Sequence, residues 1–287
     1  MKNIITLLRP HQYVKNLFIF APMLFAFHIT QSSLTSTLYT FVLFSILASS
    51  IYILNDYMDI EEDKKHPSKK NRPLAAGTVS TQSAKLLFLG FSLTAFTLAF
   101  FFSIELFSVL AAYFVLNILY SYKLKHIAIV DIFIISTGFV LRLFAGALVT
   151  QTPLSMWIII ITFLLAIFLS LAKRRDDVLL SLKGKETRKN IDGYNLEFVN
   201  AAMVLMSGVV ILSYLQYTVS PEVIIRLGSE YLYLTAFFVI LGILRYMQIT
   251  FVEQASGSPT KIVLKDRFLQ ITILFWLLSF IGIAKFL

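Results

Sequence analysis

Three aspartates and an asparagine follow a long apolar stretch of the chain. Residues 38–54 carry no charge, and Asn55, Asp56, Asp59 and Asp63 come directly after them. If the helix continues, spacings of three and seven residues place the three carboxylates on one face, with Asn55 at its edge. Ionisable groups that begin inside an apolar span are costly and usually functional. We therefore expect these four side chains to form a site.

The donor types of this site indicate a metal. Carboxylate and amide oxygens are hard ligands, and the chain has no cysteine to supply a soft one. Such donors favour Mg²⁺, which keeps several waters and commonly bridges a protein to phosphate groups. We predict that Asp56, Asp59 and Asp63 are the metal ligands and catalytic residues, and that Asn55 contacts substrate. The plainer alternative is a solvated helix end of mixed charge.

A dense run of cations follows the carboxylates. Between residues 64 and 72 the chain carries four lysines and Arg72. A metal site alone does not need cations, whereas a metal site that holds a polyphosphate does. Lys69 and Arg72 are therefore predicted to contact the phosphates of a substrate.

Other cations stand at the ends of apolar segments. The further residues predicted to contact substrate are Lys15, Tyr120, Lys123, Lys125, Arg142, Lys173 and Arg174. Arg142 lies well inside an apolar span, eleven residues after Asp131 and on the same helix face. It either forms an ion pair with Asp131 or another buried carboxylate, or contacts an anion. Lys173 and Arg174 could equally belong to a charged helix end.

The composition indicates that membrane-spanning helices carry these residues. The chain is 57% hydrophobic and 14% charged, with a mean hydropathy of +0.78, whereas soluble domains are about 25% charged. We predict an all-α, polytopic membrane protein, one domain over residues 1–287, built as a nine-helix bundle with a polar cavity that faces the cytoplasm. The nine predicted spans are 14–30, 34–54, 84–103, 105–122, 127–149, 154–172, 197–218, 231–250 and 268–286.

The distribution of charge sets the expected orientation. Nearly every lysine and arginine lies at the amino terminus or after an even-numbered span, so the positive-inside rule places those segments in the cytoplasm. We expect an integral, multi-pass protein of the inner (plasma) membrane, with its amino terminus and its site cytoplasmic. Cations in short loops argue against a nucleic-acid partner. The net charge of +9 suits anionic substrates, although orientation alone produces the same bias.

One stretch has a familiar pattern. The sequence "NDYMDIEED" (55–63), followed by "RPLAAG" (72–77), resembles the first aspartate-rich motif of the UbiA-type intramembrane prenyltransferase superfamily. The resemblance implies a nine-helix bundle whose cavity binds Mg²⁺ and in which a polyprenyl diphosphate is joined to an acceptor. The second aspartate-rich motif of those enzymes is reduced here to Asp176 and Asp177, which leaves a second metal-binding cluster open.

Several stretches resemble one branch, which transfers phosphoribose to decaprenyl phosphate. They are 8–22, 52–77, 120–147, 172–177, 188–195 and 263–270. The resemblance implies that 5-phosphoribose moves from phosphoribosyl pyrophosphate to a polyprenyl phosphate, giving polyprenyl-phosphoryl-5-phosphoribose and pyrophosphate, for the cell envelope. Two alternatives remain: transfer of a polyprenyl group to an aromatic acceptor, and transport of a phosphorylated metabolite or lipid. The prenyl chain length, and whether the protein forms a homo-oligomer, are left open.

Overall fold

A computed structural model describes residues 2–65, 69–184, 191 and 193–286. These residues are helical almost throughout and include no β-strand, which confirms the all-α prediction. Residues 66–68 of the basic run, and residues 185–190 and 192, lie outside the described part of the chain. The stretches 52–77 and 188–195 are therefore described only in part.

Eight helical segments are long and apolar enough to cross a bilayer, counted over the described residues. They are α3 (Gln31–Met58), α5 (Thr81–Phe102), α6 (Ile104–Tyr122), α7 (Val130–Thr150), α8 (Met156–Leu182), α9 (Leu196–Val219), Tyr231–Phe251, which includes α11 (Ala236–Phe251), and α13 (Arg267–Phe286). The protein is thus an integral, multi-pass membrane protein.

Shorter elements connect the spans. They are α1 (Lys2–Leu8), α2 (Ala21–Phe25), α4 (Ile60–Lys65), α10 (Pro221–Leu227), α12 (Pro259–Lys265), and 3₁₀ turns at Pro10–Phe20, Lys69–Asn71, Leu124–His126 and Tyr231–Thr235.

The first predicted span, 14–30, is not a continuous α-helix. The chain forms a 3₁₀ segment over Pro10–Phe20 and then the short helix α2. Pro10 and Pro22 lie in the first turns of these two elements, where a missing N–H costs nothing, and each prevents one helix from continuing into the next. The predicted count of nine spans is therefore not confirmed.

The acidic stretch is not one continuous helix either. Helix α3 ends at Met58, and Asp59 occupies its C-cap with φ −99° and ψ 8°. Helix α4 then carries Asp63, whose backbone N–H donates to the Asp59 carbonyl at 2.7 Å. The face predicted from a single helical period is therefore interrupted at its central carboxylate.

The described contacts divide the chain into two compact units, residues 1–154 with 180–193, and residues 155–179 with 194–287. The single domain over 1–287 stays a prediction. In the first unit α3, α5, α6 and α7 pack around Phe44, Leu47, Leu110 and Tyr113. In the second, Trp276 donates to the Tyr214 hydroxyl at 2.8 Å and so joins α13 to α9.

Helix α7 and the 3₁₀ segment approach each other closely at Gly146. A methyl group at this position would meet the Ile19 carbonyl oxygen at 1.9 Å. Because the obstacle is backbone, the Pro10–Phe20 segment would have to move to admit it.

We expect Gly146→Ala to destabilise the protein by about 1–3 kcal/mol, as over-packing of a close contact does. Thermal unfolding in detergent should show a lower Tm. The matched control is Gly90→Ala in α5, where a methyl group meets nothing within 4 Å. An equal Tm for the two variants would contradict the close packing of α7 against the 3₁₀ segment.

Candidate active site

Asp56 is the most deeply buried member of the carboxylate group. It lies in the last turn of α3, and its side chain is 1% exposed, compared with 3% for Asp63 and 17% for Asp59. Its Oδ1 accepts a hydrogen bond from Arg9 and a second from Arg72 Nη1, at 3.0 Å in the latter case. One carboxylate therefore faces two guanidinium groups.

Asp63 is tied to Asp56 through a shared arginine. Arg72 Nη1 also donates to Asp63 Oδ2 at 2.7 Å. Burial raises the pKa of the Asp63 carboxyl, while the positive charges of Arg72 and Lys69 oppose that rise. Because the pKa of Asp63 lies above its ordinary value, this carboxyl contributes most to the free energy of unfolding at low pH, where it is protonated. That contribution falls as the pH rises through the raised pKa.

Asp59 has a different partner. It pairs with Lys125, which is 7% exposed, and it accepts a bond from Asn55 Nδ2 at 3.2 Å. The Ser121 hydroxyl, near the end of α6, donates to Asn55 Oδ1 at 3.5 Å. The end of α3 is thereby linked to the end of α6 and the turn that follows it.

A row of polar side chains continues from these carboxylates along α3. Ser49 and Ser45 lie seven and eleven residues before Asp56, on the same helix face, which spans about 16 Å of the helix. The Tyr13 and Ser49 hydroxyls are 2.7 Å apart, and Asn16 Nδ2 donates to Ser45 Oγ at 2.9 Å. The 3₁₀ segment therefore packs against α3 through polar contacts.

Arg142 lies at the inner end of this row. It is 4% exposed, and it donates to Asn16 Oδ1 at 2.8 Å, to the Gly138 carbonyl at 2.6 Å and to the Tyr113 hydroxyl at 3.1 Å. Its Cζ stands 4.8 Å from the centre of the Phe44 ring. The guanidinium is thus held by neutral groups and ring faces.

The prediction that Arg142 forms an ion pair with Asp131 or another buried carboxylate is wrong. Asp131 is fully buried, but Arg142 has no carboxylate partner among the described residues. Eleven residues of spacing define a face but not the direction of the side chains on it. A buried cation that lacks an opposite charge is expensive, which favours the interpretation of Arg142 as an anion contact.

The remaining predicted substrate contacts of the first unit differ in exposure. Lys15 is half-buried, and the positive charges of Arg142 and Arg9 both act on it. Tyr120 is half-buried, whereas Lys123 is exposed. Lys15 lies on the 3₁₀ segment between Tyr13 and Asn16, which contact Ser49 and Ser45 of the polar row.

Lys173 and Arg174 belong to the second unit. Arg174 is 1% exposed and donates to Asp177 Oδ2 at 2.5 Å, within its own helix. Lys173 is half-buried. Their contact with substrate stays a prediction.

Three residues of the site were not predicted from the sequence. Arg9 reaches a carboxylate 47 residues further along the chain, and Asn16 and Tyr113 hold Arg142. The signal available for Arg9 was its position in the stretch 8–22, which resembles a known branch. Nothing in the periodicity of α6 distinguishes Tyr113 from a core aromatic.

The site fits a hard divalent ion in donor type but needs rearrangement to hold one. Among the described residues no three His, Cys, Asp or Glu side chains are placed to hold one metal ion. Asp56, Asp59 and Asp63 each pair with an arginine or a lysine instead. Carboxylate and amide oxygens still suit Mg²⁺, so an ion would bind as these pairs open.

Known proteins share this sequence and this fold. A protein named decaprenyl-phosphate phosphoribosyltransferase from Mycolicibacterium smegmatis is 29% identical over 96% of this chain and 91% of its own length. One of the same name from Corynebacterium glutamicum is 28% identical over 96% and 84%. The solved structure of a UbiA homolog from Archaeoglobus fulgidus, bound to DMAPP and Mg²⁺, matches 99% of this chain and all of its own with a TM-score of 0.73, at 17% identity.

The family assignment rests on most of the chain. The family model described as the UbiA prenyltransferase family matches residues 17–269, which include every carboxylate of the site and Arg142. The fold similarity agrees with this match over its whole length. The chain belongs to the UbiA prenyltransferase family.

Proposed function

We propose that the protein transfers 5-phosphoribose from phosphoribosyl pyrophosphate to a polyprenyl phosphate of the decaprenyl type, in a Mg²⁺-dependent reaction. The observation that carries this proposal is the 28–29% identity, over 96% of the chain, to proteins named decaprenyl-phosphate phosphoribosyltransferase. The excess of arginine and lysine around the carboxylates supports it, because both substrates are anions.

The carboxylates would hold the metal. The oxygen ligands would come from Asp56, Asp59 and Asp63. Asn55 would orient the substrate group bound beside Asp59. When bound, Mg²⁺ stabilises the negative charge that grows on the leaving pyrophosphate.

The cations that now pair with the carboxylates would bind the donor phosphates. Arg72 and Lys69 face Asp63, and Lys125 faces Asp59. Guanidinium groups bind phosphate oxygens through two parallel hydrogen bonds. These side chains would fix the diphosphate so that the anomeric carbon of the ribose is open to attack.

The transfer itself is a displacement at that carbon. An oxygen of the lipid phosphate forms a bond to the anomeric carbon while the bond to the pyrophosphate oxygen breaks, and its electron pair leaves with pyrophosphate. The attacking phosphate is already an anion at neutral pH, so no general base is required. What the protein must supply is positive charge that lets two anions approach each other.

Lys15 and Arg142 are the proposed contacts for the acceptor phosphate. Arg142 is buried without a carboxylate partner in the described chain, so a phosphate would supply its missing counter-charge. Tyr120 and Lys123 are proposed as further contacts of the acceptor. Lys173 and Arg174, in the second unit, are proposed separately as contacts of substrate. The positive-inside distribution of lysine and arginine supports a cytoplasmic site and amino terminus.

A transfer assay tests the proposal. Purified protein with Mg²⁺, decaprenyl phosphate and labelled phosphoribosyl pyrophosphate should give an organic-soluble, acid-labile labelled product and one pyrophosphate per transfer. The same protein with a polyprenyl diphosphate and an aromatic acceptor should give nothing. The reverse pattern would assign aromatic prenyl transfer instead, and flux across vesicles without pyrophosphate release would indicate a transporter.

A further inference from the structure

Arg9 has an unusual backbone at the edge of the site. Its φ and ψ are both 54°, the left-handed region, and Pro10 follows it. A residue with a side chain rarely adopts this conformation, and a following proline restricts it further. The conformation persists because both flanks are fixed. Leu7 is fully buried against Ile53 and Leu74 on one side, and Asn16 is bonded to Ser45 on the other.

The fixed backbone directs the Arg9 side chain onto one carboxylate. The guanidinium pairs with Asp56, and its Cζ stands 5.4 Å from the centre of the Tyr52 ring. Arg72, the other partner of Asp56, has a second carboxylate in Asp63. Arg9 pairs with Asp56 alone in the described structure. Moving the Arg9 side chain away therefore breaks one ion pair, whereas moving Arg72 away would break two.

We propose that Arg9 is a positioning residue that neutralises Asp56 until a divalent ion binds there, and then turns to a phosphate of the bound donor. The inference rests on the function proposed for this site. A divalent ion on Asp56 repels a guanidinium on the same oxygen. Since the backbone of Arg9 is fixed, only its side chain can move, and it stays within reach of whatever the ion binds.

The accessibility of Arg9 in the wild-type protein tests the exchange. Metal-free protein in detergent is labelled with phenylglyoxal, and modified peptides are quantified by mass spectrometry. We expect Arg9 to react several-fold faster when Mn²⁺ or Mg²⁺ is added, and to be protected again by phosphoribosyl pyrophosphate. Arg226, which is exposed on α10, serves as the internal standard and should react at a constant rate. An Arg9 rate that ignores the metal overturns the inference.

Variants give a second readout that does not depend on turnover. Mn²⁺ binding to Arg9→Gln, followed by electron paramagnetic resonance without substrate, should be about tenfold tighter than in wild type, because a competing cation is gone. The KM for phosphoribosyl pyrophosphate should rise about 30-fold, the value of one charge-assisted hydrogen bond. Arg9→Lys keeps the charge and should retain wild-type Mn²⁺ affinity. Unchanged or weaker Mn²⁺ binding by folded Arg9→Gln contradicts the inference.

The role proposed for Arg9 and the proposed phosphoribosyl transfer can fail separately. If Mn²⁺ exposes Arg9 and only a prenyl diphosphate restores protection, the role of Arg9 stands and phosphoribosyl transfer is wrong. If phosphoribosyl pyrophosphate is turned over while the labelling of Arg9 ignores the metal, phosphoribosyl transfer stands and Arg9 is a structural residue.

Discussion

Asp59→Asn is expected to lower the transfer rate at least about 1,000-fold, because a lost metal ligand removes several kcal/mol of charge stabilisation from the transition state. The variant should still fold. Asp59 lies at the end of α3 with its side chain 17% exposed, and the amide that replaces it can still accept a hydrogen bond from the buried Lys125. The Tm should therefore fall, but by less than for Asp56→Asn, which leaves two guanidinium groups without a counter-charge. Initial rates of label transfer and thermal unfolding in detergent measure the two effects.

Glu61→Gln is the matched control for this substitution. It makes the same change from carboxylate to amide two residues away, on a side chain that is 80% exposed and pairs with Lys64 at the surface. Its transfer rate should stay within about a factor of two of wild type, since such surface pairs contribute little. Retention of more than about a tenth of wild-type activity by Asp59→Asn would show that this carboxylate is not a metal ligand.

Asp56→Asn is a less informative variant. Asp56 faces Arg9 and Arg72, so its loss would leave two guanidinium groups without that counter-charge. Breaking a buried pair by removing one partner is strongly destabilising. An inactive Asp56→Asn protein could therefore be an unfolded one, whereas Asp59 separates activity from folding.

Arg142→Met is expected to lower kcat/KM for the polyprenyl phosphate about 30-fold, the value of one hydrogen bond to a charged group. The KM for phosphoribosyl pyrophosphate should change little, because its proposed contacts lie at the carboxylates. Folding stability should fall by only about 1–3 kcal/mol. The variant leaves Asn16 Oδ1 and the Tyr113 hydroxyl without their donor, but it also removes a buried charge that has no carboxylate partner in the described structure. Steady-state kinetics with each substrate varied in turn measure this split.

Tyr113→Phe is the control for Arg142→Met. It removes only the hydroxyl that accepts from Arg142 Nη2 at 3.1 Å, and it keeps the cation. Its effect on kcat/KM should be about twofold to threefold, since the loss of one partner still leaves Asn16 and Gly138. An Arg142→Met protein that unfolds several degrees lower with both KM values intact would make Arg142 a structural residue.

The apolar runs predicted most of the fold because the bilayer imposes one length and one helical period. Breaks in the helical period cannot be located in this way, because they depend on the local chain. Pro10 and Pro22 divide the first predicted span, and Asp59 ends α3 where a continuous helix was expected. The acidic stretch still forms a site, because all three carboxylates remain close to the end of α3.

The partners of the site residues were less predictable than the residues themselves. Helical spacing suggested Asp131 as the counter-ion of Arg142, but the guanidinium points to Asn16 on the 3₁₀ segment, 126 residues away in sequence. Arg9 likewise reaches Asp56 only through packing of α1 and the 3₁₀ segment on α3. Such long-range contacts depend on tertiary packing, which no local pattern encodes.

In the proposed reaction a divalent ion on the carboxylates of α3 and α4 activates the sugar donor for a lipid phosphate. The most direct measurement is label transfer from phosphoribosyl pyrophosphate to decaprenyl phosphate, with pyrophosphate release followed in the same sample, in excess chelator and again after Mg²⁺ is restored. We predict that both products disappear together in chelator and return together with Mg²⁺. Full transfer in chelator, or pyrophosphate release without labelled lipid, would contradict the claim.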